Sequence, residues 1–313
     1  MREPKRTARF RSILCSVDFS GQSREAVKYA SSIAPPGGGR ITFLFVNDPL
    51  LLAAAGVAYH AEREFLRRAR VELERFVAQS IGRSQRSRPV IAYEIALGAA
   101  SDEILGASKR LKSDLIVMGT HGLSGVRKLF FGSTTEQVLR QVDMPVLAVP
   151  PSRAGARFER RRGRAGQPFA RVIAPVDLDR RATRDIQAAA DLAIWCGAEL
   201  LLVHVLPRLH TPPWLRRTGN DQDRVRSAEV LLNLKATQAG LPHPLRFGCR
   251  VVVGEPADEI AALAAAGPRS VVAMALCGED RLFLRRGAIA YRVLTHAAAP
   301  VFALPSRAYR TRR

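Results

Sequence analysis

The sequence predicts two tandem α/β domains, each a doubly wound five-stranded parallel sheet of Rossmann-like form. Three observations carry that prediction. A chain of 313 residues suits two domains better than one. Three segments recur in the same order: ILCSVDFS (13–20) matches VIAPVDLD (172–179), LGAASDEI (97–104) matches VGEPADEI (253–260), and PVLAVP (145–150) matches PVFALP (300–305). Self-similarity of this kind marks a duplicated unit. Within each copy, short apolar runs rich in β-branched residues alternate with helix-like stretches, the order that winds helices around a parallel sheet. The interval between copies shrinks only from 159 to 155 residues, so they differ by a few residues of loop. The expected boundaries are a first domain over 1–150, an Arg-rich linker over 151–170 and a second domain over 171–313.

The elements follow in order. SILCSVDF, RITFLFVND, VIAYEIAL, DLIVMGT and PVLAVP read as the five strands of the first copy. Between the first two, SREAVKYASSIA places Ala26, Ala30 and Ile33 on one face, with Ser23 as its expected N-cap and PPGGG as its end. A longer amphipathic helix is expected within 54–82, and ASDEILGASKRLK is expected to be helical with Ser101 as its cap. A fourth helix opens at STTEQVLRQV, and its counterpart in the second copy is RGAIAYRVLTHA.

Composition narrows the function classes. Hydrophobic residues make up 47% and charged residues 25%, the balance of a chain that buries a core in each half. No apolar run reaches the roughly 18 residues needed to cross a bilayer, and the N-terminal stretch lacks the apolar core of a signal peptide. The expectation is a cytoplasmic protein without membrane association. Cys15, Cys196, Cys249 and Cys277 lie far apart with no C-x-x-C pair, so they read as reduced, mostly buried thiols, not as a zinc site or a disulfide framework. The net charge of +21 is spread over both halves and is densest in PSRAGARFERRRGRAGQP, where six Arg face one Glu. Such a linker could meet phosphates by counterion release. No interleaved aromatics, helix-turn-helix or RNA-recognition pattern accompanies it, so a nucleic-acid partner is not expected.

The stretch GTHGLSGVRKLFFGSTTEQVLRQVDMPVLAVP (119–150) carries the chemistry. A loop that leaves a parallel strand and enters a helix lies at the carboxyl edge of the sheet, where open α/β folds bind ligands. Glycines there allow close backbone approach to a phosphate. Gly132, Ser133 and Thr134 open the next helix, so their amides, hydroxyls and the positive end of the helix dipole form a phosphate seat.

The spacing from Gly119 through Gly122 to Gly132 and Ser133, followed by a helix and a Pro-Val-Leu-x-Val strand, resembles the ATP-binding signature of the universal stress protein family. ILCSVDFS is similar to that family's first strand, with Asp18 on the adenosine side, and FLFVND to the segment whose Val46 contacts adenine. The resemblance implies an adenine-nucleotide α-hydrolase-like fold and an ATP site, with Mg or Mn as counter-ion, and no efficient hydrolysis. By chemistry, Ser16 and Val17 shape the adenosine pocket, Asp18 accepts from ribose or base, and Met118 joins Val46 as an apolar wall. His121, Arg127 and Lys128 in the loop are further polar candidates. No Walker loop, nucleophile elbow, H-E-x-x-H helix or kinase catalytic loop is present, so no catalytic residue, no protein-held metal and no enzyme activity are expected. The alternatives are an interaction module that uses the linker, and a slow ATP hydrolase.

Counting back from Pro300 against Pro145 without gaps sets Met274 at the place of Gly119, Cys277 at Gly122, Gly287 at Gly132 and Ala288 at Ser133. The second copy is therefore expected to hold a degenerate site; a shifted loop with Gly278 at the place of Gly122 is the alternative. The resemblance also implies that the halves pack as a pseudo-dimer through their last strands. A homo-oligomer is left open.

Overall fold

Parallel pairing organises every strand in the computed structural model. It describes residues 10–35, 38–49, 62–81, 89–121, 132–151, 168–208, 221–267, 269–276 and 289–305. The chain divides into two compact units between Pro168 and Phe169. In unit 1 the order is β1 (Ser12–Ser16), α1 (Gly21–Ile33), β2 (Arg40–Asn47), α2 (Glu62–Ile81), β3 (Val90–Leu97), α3 (Ala100–Arg110), β4 (Leu115–Gly119), α4 (Ser133–Gln141) and β5 (Val146–Val149). Unit 2 repeats it as β6 (Arg171–Pro175), α5 (Ala182–Cys196), β7 (Glu199–Leu206), α6 (Asp221–Gln238), β8 (Phe247–Val253), α7 (Pro256–Ala266), β9 (Ser270–Leu276), α8 (Ile289–His296) and β10 (Val301–Pro305).

Unit 1 has strand order β3-β2-β1-β4-β5, and unit 2 has β8-β7-β6-β9-β10. The pairs are parallel throughout, with Cys15 opposite Phe43 on one side and Val117 on the other. In each unit the chain runs outward for three strands and then returns to pair the fourth strand with the first. The order thus reverses between β1 and β4, and the crevice at their carboxyl ends is the ligand-binding place of this architecture.

Apolar strands buried on both faces make the core. Leu14, Cys15, Ile41, Phe43, Leu115 and Ile116 in unit 1 have at most 1% of their surface exposed. In unit 2, Phe169 meets Phe302 edge-on at 5.9 Å. Each such side chain contributes roughly 1.5–3 kcal/mol on removal from water. Among the described residues, no helix is long and apolar enough to cross a membrane.

Two helix starts differ from expectation. α1 begins at Gly21 with Ser20 as its N-cap, since the Ser20 hydroxyl accepts the Ser23 amide at 3.1 Å. Ser23 sits inside the first turn, and its own hydroxyl donates back to the Ser20 carbonyl. α3 is capped at Ala99 without a side-chain bond. Ser101 lies within that helix, buried, and donates to Gln137 Oε1 at 2.7 Å, which ties α3 to α4. In unit 2 the equivalent clasp is ionic: Arg292 of α8 reaches Glu255 at 2.6 Å and Asp258 at 3.6 Å at the start of α7.

Candidate functional site

The exit of β1 is sharply shaped. The Val17 amide donates to the Leu44 carbonyl at 2.8 Å, which continues the ladder one residue past the strand. Asp18 then accepts the Ser20 amide at 2.9 Å. Between them Phe19 takes a left-handed backbone, φ 63°, which costs a non-glycine residue on the order of 1 kcal/mol. Its ring repays that cost by packing against Phe45 at 4.8 Å and Phe76 at 5.4 Å, with the Arg24 guanidinium 4.5 Å from the centre of the Phe76 ring. The turn holds the half-buried Asp18 at the sheet edge.

The exit of β4 is drawn back onto the start of α4. The Thr120 amide donates to the Val149 carbonyl at 2.9 Å, and the Thr120 carbonyl accepts the Gly132 amide at 2.8 Å. The buried Thr135 hydroxyl donates to the Gly119 carbonyl at 2.8 Å. A Cβ on Gly119 would lie 3.0 Å from Gln22 Cβ, and one on Gly132 would lie 3.1 Å from the Thr120 carbonyl oxygen. Gly132 therefore sits where backbone meets backbone, and Gly119 is crowded by Gln22 Cβ and, at 3.3 Å, by the His121 carbonyl oxygen. Gly132 caps α4 without a side-chain bond. The amides of Ser133 and Thr134 in the first turn have no intrahelical acceptor, and they point out of the helix start. The Thr120 hydroxyl pairs with His121 Nδ1 at 2.8 Å.

Several sequence-predicted residues thus come together at one edge. Ser16, Val17 and Asp18 stand at the end of β1, Gly119 at the end of β4, Gly132, Ser133 and Thr134 at the start of α4, and Val46 at the end of β2. Ser133 is exposed, while Thr134 and Val46 are intermediate. Met118 is only 2% exposed and belongs to the core. Gly122, Arg127 and Lys128 lie outside the described residues. Thr135, Gln22 and Phe19 were not expected to contribute. Thr135 was legible in principle, as the hydroxyl three residues into a helix whose cap is glycine. Among the described residues, no three His, Cys, Asp or Glu side chains are grouped so as to hold a metal ion.

The strand register corrects the expected alignment of the second unit. Ile13 pairs with Leu115 and Val172 with Val271, and Ile116 pairs with Val146 as Val272 does with Val301. Met274 therefore occupies the position of Met118, and Ala275 that of Gly119. Counting onward in sequence sets Gly278, not Cys277, at the place of Gly122. The helix ends agree at the other side, since Val142 donates to Val138 as Ala297 does to Val293. Gly287 and Ala288 keep their match to Gly132 and Ser133, so the loop of unit 2 is one residue shorter, a deletion that a gapless count cannot see. Residues 277–288 themselves lie outside the described residues. At the edge of unit 2, Pro175 replaces Ser16 and Asp177 keeps the place of Asp18. His204 stands where Phe45 does, its Nδ1 2.8 Å from the Val176 carbonyl.

Known proteins agree with this architecture. The model of the universal stress protein family matches residues 9–150 and again 168–305. A universal stress protein of Thermus aquaticus is 32% identical over 143 residues, covering 45% of this chain and 98% of that protein. One from Mycolicibacterium smegmatis is 24% identical over 253 residues, covering 78% of this chain and 80% of its own length. In fold, the chain is similar to a universal stress protein from Archaeoglobus fulgidus, with a TM-score of 0.60 at 20% identity, over 94% of this chain and 96% of that one. With both halves matched by the same family model and a duplicated strand order beneath them, the chain belongs to the universal stress protein family as a tandem of two such domains.

Proposed function

We propose that unit 1 binds ATP across the carboxyl edge of β1, β2 and β4, and that site occupancy serves a stress-linked signal without efficient hydrolysis. One observation supports this reading most: the closure of the β4–α4 connection by the Gly132 amide on Thr120 and the Thr135 hydroxyl on Gly119. It aims the free amides of the first turn of α4, and the positive end of that helix, at the mouth of the switch-point crevice. Phosphates suit that seat. The neighbouring strand ends offer Asp18 as an acceptor for ribose hydroxyls and Val46 as an apolar surface for the base.

A divalent cation, Mg or Mn, would be held chiefly by the phosphate oxygens and would neutralise part of their charge. Signalling is favoured over turnover because the sequence carries none of the established nucleotide-hydrolysing motifs. The test is direct. Nucleotide released from the denatured purified protein is identified, and the nucleotide-free chain is titrated with ATP in a calorimeter. Binding of ATP at the glycine edge is expected; a chain that neither carries nor takes up nucleotide overturns the reading.

A further inference from the structure

The carboxyl end of β2 holds a polar group that the fold does not explain. Among the described residues, Asn47 Nδ2 is buried and has no hydrogen-bond partner. A buried amide donor without an acceptor costs roughly 1–3 kcal/mol, so a site that keeps one has a reason for it. The backbone of Asn47 is fully engaged. It pairs with Leu97 in the β2–β3 ladder, and its carbonyl accepts the Gly98 amide at 3.1 Å. The backbone is thus fixed at the sheet edge, and only the side-chain amide is left without a partner.

The duplicated unit supplies an internal control. The Gly254 amide donates to the Leu206 carbonyl at 3.0 Å as the Gly98 amide does to Asn47, so Leu206 is the counterpart of Asn47. The same strand end therefore folds with an apolar side chain, and the carboxamide is not needed to build it. Unit 2 also lacks the Ser16 and Gly119 of the first edge. Within one chain, the amide is present where the rest of the site is present and missing where it is not.

Its position says what it would read. β1 separates β2 from β4, so the end of β2 lies two strand spacings, about 10 Å, from the phosphate seat at β4 and α4. That is too far for one short side chain to meet the same phosphate as the first turn of α4. Side chains two apart share a face of a strand, so Asn47 is on the face where Phe45 packs against Phe19 of the β1 exit. We infer that Asn47 is a specificity residue of the site, its Nδ2–H donating to an acceptor on the base or sugar of the bound nucleotide. The inference rests on the nucleotide reading above, which already sets the base over β2, and adds to it the side chain there that would donate to the ligand.

The test uses the full chain with two substitutions. Asn47→Leu installs the residue that unit 2 already accommodates, and Asn47→Asp keeps the shape but removes the donor. Calorimetric titrations with ATP and ADP are expected to show at least a tenfold loss of affinity in both variants, by the same factor for the two nucleotides. The ligand-free Asn47→Leu chain is expected to melt no lower than the unmodified chain, because an unsatisfied buried amide has been removed. Unchanged ATP affinity in either folded variant overturns the inference. A loss confined to ATP overturns it too, since the contact would then be to the terminal phosphate. A clearly lower melting temperature for ligand-free Asn47→Leu would make the amide structural and overturn it as well. Failure of the unmodified chain to bind nucleotide is read without any substitution, so it separates collapse of the parent reading from failure of this one.

Discussion

The hydroxyl of Thr135 donates across 2.8 Å to the carbonyl of Gly119, joining the third residue of a helix to the last residue of the strand before it. The donor end is shielded, Thr135 being 3% exposed, while Gly119 is half-buried. Thr135→Val keeps the volume and deletes the donor, so it leaves a half-buried carbonyl without its partner. A loss of about 1–3 kcal/mol is expected in urea unfolding of unit 1, together with weaker ATP binding as the connection loosens. Val at this position with unaltered stability would mean that the bond carries no closure.

Gly132→Val is expected to act on the same connection by crowding. The new Cβ would stand 3.1 Å from the Thr120 carbonyl oxygen and 3.5 Å from His121 Cα, both backbone atoms that cannot turn aside. Displacing the start of α4 by a few tenths of an ångström misplaces the amides proposed to hold phosphate. At least a tenfold loss of ATP affinity is expected by calorimetry, with the melting temperature of unit 2 unchanged. Retained affinity would move the phosphate seat away from α4.

Calorimetry is expected to find one ATP per chain. Unit 2 keeps Asp177, but Ala275 adds a side chain at the place of Gly119, Pro175 removes the hydroxyl of Ser16, and by sequence Ala288 removes that of Ser133. Two equivalents of bound ATP would mean that the shorter loop of unit 2, with Gly278 in line with Gly122, builds a competent seat.

Acid should weaken unit 2 through Asp179. Partial burial pushes its carboxyl up, but the amides of Arg181 and Ala182 and the Arg181 guanidinium outweigh that and hold it below the ordinary carboxylate value. A carboxyl lowered in the folded state stabilises above its unfolded value, near 4, and loses that contribution as pH falls through the folded one. Asp179→Asn is therefore expected to lower the melting temperature at pH 7 and to matter progressively less as the pH falls below about 4. Equal effects at every pH would assign the loss to packing and not to charge.

Thiol chemistry should be silent in the folded first unit. Cys15 lies on β1, the central strand of unit 1, with no exposed surface, and burial pushes its thiol far above the ordinary range. Thiolate is the reactive form. Mass mapping after treatment with iodoacetamide is expected to leave Cys15 unmodified until denaturant is added; labelling of the native protein would mean that the sheet opens at its centre.

Much of this was legible in the residues because strands buried on both faces write themselves as apolar runs. Leu14, Phe43 and Ile116 could hardly lie elsewhere. Ser20 and Ser23 differ only in which of them accepts an amide, and two serines three apart look equally good as caps until the strand exit fixes where the helix begins. The left-handed turn at Phe19 was hidden because VDF reads as a continuing strand; only the rings of Phe45 and Phe76, distant in sequence, make that backbone affordable. Asn47 drew no attention for the opposite reason. An Asn after an apolar run is an ordinary strand ending, and its missing acceptor is visible only in three dimensions. The register of unit 2 was misread by one because apolar residues such as Met274 and Ala275 are interchangeable in a count, whereas a hydrogen-bond ladder admits a single pairing.

The clasp between the third and fourth helices of each unit is neutral in the first copy, Ser101 to Gln137, and ionic in the second, Arg292 to Glu255 and Asp258. Ion pairs between half-exposed side chains are worth at most about 1 kcal/mol and fade as the Debye length shortens from about 10 Å at 0.1 M salt to about 3 Å at 1 M. A hydrogen bond between neutral groups is indifferent to that change. Osmotic concentration of the surrounding solution would therefore slacken one copy and leave the other as it was, so that a duplicated scaffold comes to possess two mechanical responses to a single variable.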